Sequence, residues 1–277
     1  MAITHIATGT GAPGAGGGWT APFDSTGATL LVVGITSWGS GNPINNVADN
    51  YANTFTGLTV RVTGTARHRI YYCISPVTGP GHTVWASGAG NTYPIIIASA
   101  FAGSEIYHSE SGATAASGAS IASGIVTPPS NGALIFTGVA VANAGSTNTL
   151  SPAGFTLTHR NQASGGPNGS AGWLVQAVAA GIDPTWAFSP AQGAQTVNTA
   201  VFLDGLLTPP PARVSQLGLE VLERQDITLN ARVSQVAMEV LERQDITLYA
   251  RVSQVALEVL RIPAKSESSE QISIWID

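Results

Sequence analysis

The chain has 277 residues, 44% of them apolar and only 10% charged, with 32 glycines, 16 prolines and a formal net charge of -5. A single lysine, Lys265, and this acidic balance argue against a nucleic-acid partner, because phosphate binding needs clustered cations. β-Branched residues and tryptophans spread along the chain argue against disorder, the lone Cys73 excludes an intramolecular disulfide, and no apolar run approaches the roughly 20 residues of a membrane helix.

The opening MAITHIATGTGAP lacks the basic start and apolar core of a secretory signal, so synthesis in the cytosol without membrane insertion is expected. Gly9 to Gly14 formally matches the dinucleotide fingerprint. No helix pattern follows it, however, and with Gly16 to Gly18 it reads as a flexible arm, so no cofactor is expected.

From Thr29 onward, runs rich in Val, Ile, Thr and aromatic residues recur between Gly, Pro and Asn clusters: 29–36, 57–63, 67–75, 82–87, 94–101, 133–142, 154–160, 171–179 and 195–203. In several, as with Leu58, Val60 and Val62 against Thr59, Arg61 and Thr63, apolar and polar residues alternate, the pattern of strands buried on one face. With helical periodicity almost absent, the predicted class is all-β: an antiparallel, jelly-roll-like β-sandwich over 1–207. The Gly/Ala/Ser/Thr-rich stretch 109–123 reads as a long connection across one end of it. Asn168-Gly169-Ser170 fits the glycosylation pattern but reads as a Gly-rich turn.

Composition changes abruptly at Leu207. Residues 1–207 carry 10 charged side chains and residues 208–277 carry 17, and Pro209, Pro210 and Pro211 mark 208–211 as an extended linker. Beyond it the sequence repeats with a period of 19: 212–230, 231–249 and a partial copy at 250–260. The first two copies share 15 of 19 positions and the third differs from the second at one of its 11, so this is a true repeat. Val233, Val236, Val240 and Leu241 also fit a helix face, but the preferred reading is β, with Val236, Met238 and Val240 on one face and Glu-Arg-Gln-Asp as the turn. A ribbon of this kind cannot bury its apolar side alone. Val214, Leu217, Val221, Val233, Val236, Met238, Val240, Val252, Val255, Leu257 and Val259 are therefore the candidate oligomerisation or docking residues of region 212–277. The chain's expected partner is itself, as a homotrimer.

The repeated Arg-Val-Ser-Gln-Val-x-x-Glu-Val-Leu motif, at Arg213 to Leu222, Arg232 to Leu241 and Arg251 to Leu260, resembles C-terminal segments of tailed-bacteriophage virion proteins. The first region is similar to β-sandwich modules of the same class. The corresponding features are Ser25-Thr26-Gly27-Ala28 leading into Leu30 to Val33, the Asp49-Asn50-x-x-Asn53-Thr54 turn, and a closing strand ending at Val201-Phe202-Leu203. The resemblance implies a virion location after synthesis in the host cytoplasm, on a tail fibre, head fibre or capsid decoration. It also implies other virion proteins as partners.

No catalytic or metal-binding set is expected. The five histidines have no metal spacing with one another or with Cys73, and His108 between Glu105 and Glu110 reads as a solvated loop. Asp49 and Asp183 read as turn formers, no Gly-x-Ser-x-Gly elbow is present, and Cys73 reads as an apolar residue in a strand. Two features stand out as contact candidates. Arg61, Arg67 and Arg69 are expected to form one outward patch with Tyr71, suited to an acidic partner subunit or an envelope surface. The loop from Trp38 to Tyr51, with Asn45 and Asn46, has the aromatic faces and amides that a host-surface glycan would use. A carbohydrate-binding module is accordingly the second functional reading.

Overall fold

Four strands are buried on both faces and form the centre of the first unit. In the computed structural model these are β3 (Leu30–Trp38), β9 (Ile95–Ala102), β12 (Ala133–Val141) and β17 (Gln195–Leu203), nearly every residue of which is buried. Strands covered on both sides read as near-continuous hydrophobic runs, as β9 and β12 do, whereas β17 buries Thr196, Asn198 and Thr199 as well. The structure describes residues 2–11, 17–38, 46–87, 94–104, 106–142, 147–162 and 168–205, with the backbone alone for 158–162. The chain divides into two units, Met1–Leu207 and Thr208–Asp277. The second unit, with all of the 19-residue repeats, lies outside the described residues.

The first unit is all-β and antiparallel throughout its described ladders. The remaining strands of its first half are β1 (Thr4–Gly11), β2 (Gly17–Trp19), β4 (Asn46–Asp49), β5 (Thr56–Gly57), β6 (Arg61–Thr63), β7 (Ala66–Ile74) and β8 (Val84–Ser87). Those of the second half are β10 (Ile106–Ala115), β11 (Gly118–Ala122), β13 (Thr147–Ser151), β14 (Thr156–Gln162), β15 (Asn168–Gln176) and β16 (Thr185–Gln192). The first half forms a large sheet ordered β1-β9-β3-β7-β5 and a small one ordered β2-β8-β4. The second half forms β10-β17-β12-β15-β14 and β11-β16-β13.

These orders correspond strand for strand, and so do their registers. Leu30 pairs with Phe101 and Ile74 in one half, as Leu134 pairs with Phe202 and Val175 in the other. The isolated bridge Phe23–His82 has its counterpart in Val126–Ile182. The architecture of strands β1 to β9 is thus repeated in strands β10 to β17. Where the sequence predicted one sandwich, the structure has two, packed back to back in four layers.

The two large sheets meet through Leu30, Val32, Ile70 and Phe101 on one side and Leu134, Phe136, Ala171 and Phe202 on the other. Truncating Phe136, which has no exposed surface, would cost about 3–5 kcal/mol. The outer faces of the large sheets are covered by the small ones: Val84 and Ala86 of β8 pack on Leu31, Val33 and Ile96, and Trp186 and Phe188 of β16 pack on Val139 and Val197.

Several expectations are corrected here. The stretch 109–123 is not a connection: it forms most of β10 and β11, because Ser, Thr and Ala on a half-buried strand still complete a ladder with β17 and β16. Gly9 and Gly11 are not part of a flexible arm but belong to β1, where Phe23 and the Trp19 backbone lie so close that a side chain would collide. Asn168-Gly169-Ser170 opens β15 as buried strand rather than turn, and His108 and Glu110 lie on β10 rather than in a loop.

Candidate functional site

Two constellations in the first half draw together residues far apart in sequence. The first centres on His82, in the bend before β8. Its Nε2 donates to Asp49 Oδ2 at 2.9 Å, its Nδ1 lies 2.7 Å from Ser25 Oγ, and its ring is held between Phe23 and Tyr51 at centroid distances of 5.1 and 4.9 Å. Asp49 also accepts the backbone N–H groups of Tyr51 and Asn53 and the Asn53 amide, so it shapes its turn as expected for an Asp there. Burial opposes ionisation of this carboxyl, but the hydrogen bonds from His82 and Asn53 outweigh it and hold the pKa below the ordinary Asp value.

Serine, histidine and aspartate are the residue types of an acyl-transfer triad. Here Ser25 is 0% exposed, its Oγ already accepts the Gly79 N–H at 3.1 Å, and its own N–H bonds Gly79 O at 3.1 Å. A nucleophile must be reached by the substrate carbon, and this one is enclosed. The arrangement is a clamp that joins the turn after Phe23, the turn after β4 and the loop before β8. In the second half Ile182 takes the place of His82, so the same junction is closed by apolar packing.

The second constellation is on the outer face of the β2-β8-β4 sheet. Along β8, Val84 and Ala86 are buried and Trp85 and Ser87 point the other way. Register places Trp19 and Ala48 on either side of Trp85, and Gly17 and Asn46 on either side of Ser87. The Trp19 and Trp85 rings are 6.1 Å apart at an interplanar angle of 42°, and Trp19 is 56% exposed. Sequence reading missed both. Each sits in an alternating run, Gly17-Gly18-Trp19-Thr20 and Thr83-Val84-Trp85-Ala86, but only the pairing of β2 with β8 brings them together.

The sequence-predicted contacts are rearranged. Arg61 pairs with His68 and so faces the second half, towards Gly112, whereas Val62 pairs with Arg67 on the opposite face. A single patch of Arg61, Arg67 and Arg69 therefore does not form. β6 is out of phase with β7, so the odd-numbered Arg61 shares a face with His68 rather than with Arg67 and Arg69. Arg69 turns onto its own sheet: Nε donates to Leu58 O at 2.7 Å, Nη1 to Tyr71 Oη at 3.0 Å, and the guanidinium lies 4.7 Å from the Tyr71 ring centre. Tyr71 is buried beneath the small sheet, which pushes its phenol pKa up despite the neighbouring Arg69. Trp38 ends β3, half-buried and paired with Ala66. Tyr51 is tied down by its hydroxyl to Pro80 O at 2.8 Å and stands at the opposite end of β4 from Asn46, while Asn45 lies outside the described residues.

Cys73 lies on β7 as expected, with its thiol pKa raised by burial and by the Asp49 charge. Glu110 accepts from the Thr59 N–H and hydroxyl. No group of three metal-ligating side chains occurs among the described residues. No described helix is long and apolar enough to cross a membrane. Comparison with family models, curated proteins and solved structures gives no match for this chain.

Proposed function

We propose that this protein is a non-enzymatic structural component of a tailed-bacteriophage virion, of the fibre or decoration type. In this reading residues 1–207 supply a rigid surface for contact and the C-terminal repeats assemble the chain with itself, as a homotrimer, and with other virion proteins. The observation that carries it is the tandem 19-residue repeat, whose β reading leaves an apolar face in need of cover. The motif's resemblance to virion protein segments points the same way.

We further infer that each half of the first unit is a jelly roll. Counting β5 and β6 as one strand, the large sheet joins the first, last, third, sixth and fifth strands in that order and the small sheet the second, seventh and fourth. The same holds for β10 to β17, so the jelly-roll order is kept except that the fifth strand borders the large sheet. Jelly rolls are frequent in capsid and lectin domains, which supports a particle or surface role as a fold-level analogy. Expressing residues 1–207 alone tests the division of labour. The reading requires a folded monomer; a fragment that fails to fold, or that assembles as the full chain does, contradicts it.

A further inference from the structure

We infer that the Trp19–Trp85 face of the β2-β8-β4 sheet is a binding site for a neutral saccharide. The decisive observation is the internal repetition of the fold. The bridge Phe23–His82 is followed, four residues back and three residues on, by the pair Trp19–Trp85, and the bridge Val126–Ile182 is followed at the same steps by Ala122–Thr185. The position beside Trp85 is Ala48, and the one beside Thr185 is Ser151. One architecture thus occurs twice, once with two indoles on its outer face and once with Ala, Thr and Ser. The fold does not require the indoles.

Their setting fits a sugar. The two rings are flanked by Ala48 and by Gly17, which has no side chain to shade the Trp85 Nε1 edge. One register step along the strands, about 7 Å away, Asn46 and Ser87 place an amide and a hydroxyl on the same face. A pyranose presents C–H groups to aromatic faces and hydroxyls to such polar groups. No charged residue is present among Gly17, Trp19, Asn46, Ala48, Trp85 and Ser87, so this face has nothing to pair with a carboxylate or sulfate on the ligand. The site differs from the Trp38 loop, and it stands whether or not the chain assembles on a particle.

The test is tryptophan fluorescence of the full chain titrated with cellohexaose, mannohexaose and N-acetylchitohexaose, with hexagalacturonate as the charged counterpart. At least one neutral hexamer should give a saturable change in emission. Trp19→Ala and Trp85→Ala should each weaken that binding by about tenfold or more, while Trp19→Tyr retains most of it and Trp38→Ala leaves it unchanged. Thermal melting of each variant separates lost binding from lost folding, and Trp19, the more exposed ring, is the decisive position. Binding of none of the neutral hexamers, binding undiminished in Trp19→Ala, loss in Trp38→Ala, or preference for hexagalacturonate would each overturn the inference. None of these results depends on the oligomeric state.

Discussion

His68 of β7 donates from Nδ1 to Asn198 Oδ1 of β17 over 3.1 Å, and Asn198 Nδ2 donates onward to Thr59 O at 2.8 Å. One histidine and one asparagine thereby join the two central sheets, as does Thr36 of β3, whose Oγ1 donates to Val139 O of β12 at 3.3 Å. An amide oxygen can only accept, so the hydrogen belongs to Nδ1. Burial lowers the ring's pKa from 6.5 to about 4, with the Asn198 bond opposing it only in part.

A pH dependence follows. Because the folded-state value lies below the unfolded one, the unfolded chain binds more protons between pH 4 and 6.5, so stability is full above 6.5 and falls as pH drops toward 4. The loss approaches about 3 kcal/mol across that window. Urea denaturation at pH 7 and pH 4.5 measures it. His68→Gln, which keeps a donor but cannot titrate, should be less stable at pH 7 and lose most of the decline over the same interval, the remainder coming from His5, whose ring pKa burial also lowers.

Gly138 is the complementary constraint. A Cβ at this position would run into the His68 imidazole, whereas at Gly34, on the facing strand, it would still clear that ring by 3.5 Å. Gly138→Ala should therefore cost about 1–3 kcal/mol through overpacking, and Gly34→Ala clearly less. In the double variant His68→Ala/Gly138→Ala the glycine substitution should lose most of its cost, which a double-mutant cycle by thermal or urea unfolding will show.

The Ser25–His82–Asp49 clamp predicts a purely structural phenotype. Ser25→Ala strands the Gly79 N–H and one His82 nitrogen, and should destabilise by about 1–3 kcal/mol. Asp49, with its folded-state pKa depressed, contributes stability that is present above the ordinary carboxylate range and lost as pH falls through the folded value. Asp49→Asn should reduce the stability measured at pH 7 and flatten the decline in the most acid range. Neither substitution should change saccharide binding at Trp19, which titration of both variants checks.

The sequence revealed the fold class because β3, β9 and β12 are predominantly apolar runs and β17 is rich in Val and Thr, all set between clusters of Gly, Pro and Asn. It concealed the duplication, because the two halves keep register and burial rather than residue identity. Phe101 and Phe202 coincide in role, but His82 answers to Ile182 and Trp19 to Ala122. β10 and β11 were hidden by composition, since a strand of Ser, Ala and Thr shows no hydrophobic alternation. The histidine clamp was out of reach because its three members lie on separate turns joined only by tertiary packing. Arg61 was misplaced for a related reason: a shift of phase between adjacent strands moves a side chain to the other face.

The most direct test of the central claim is the mass of the full chain in solution, measured by sedimentation equilibrium beside a variant with Val236, Met238 and Val240 replaced by serine. The account predicts a trimer of about 85 kDa, three times the 28.3 kDa chain, and a shift to monomer in the variant. A wild-type protein that remains a 28.3 kDa monomer at all concentrations would contradict it.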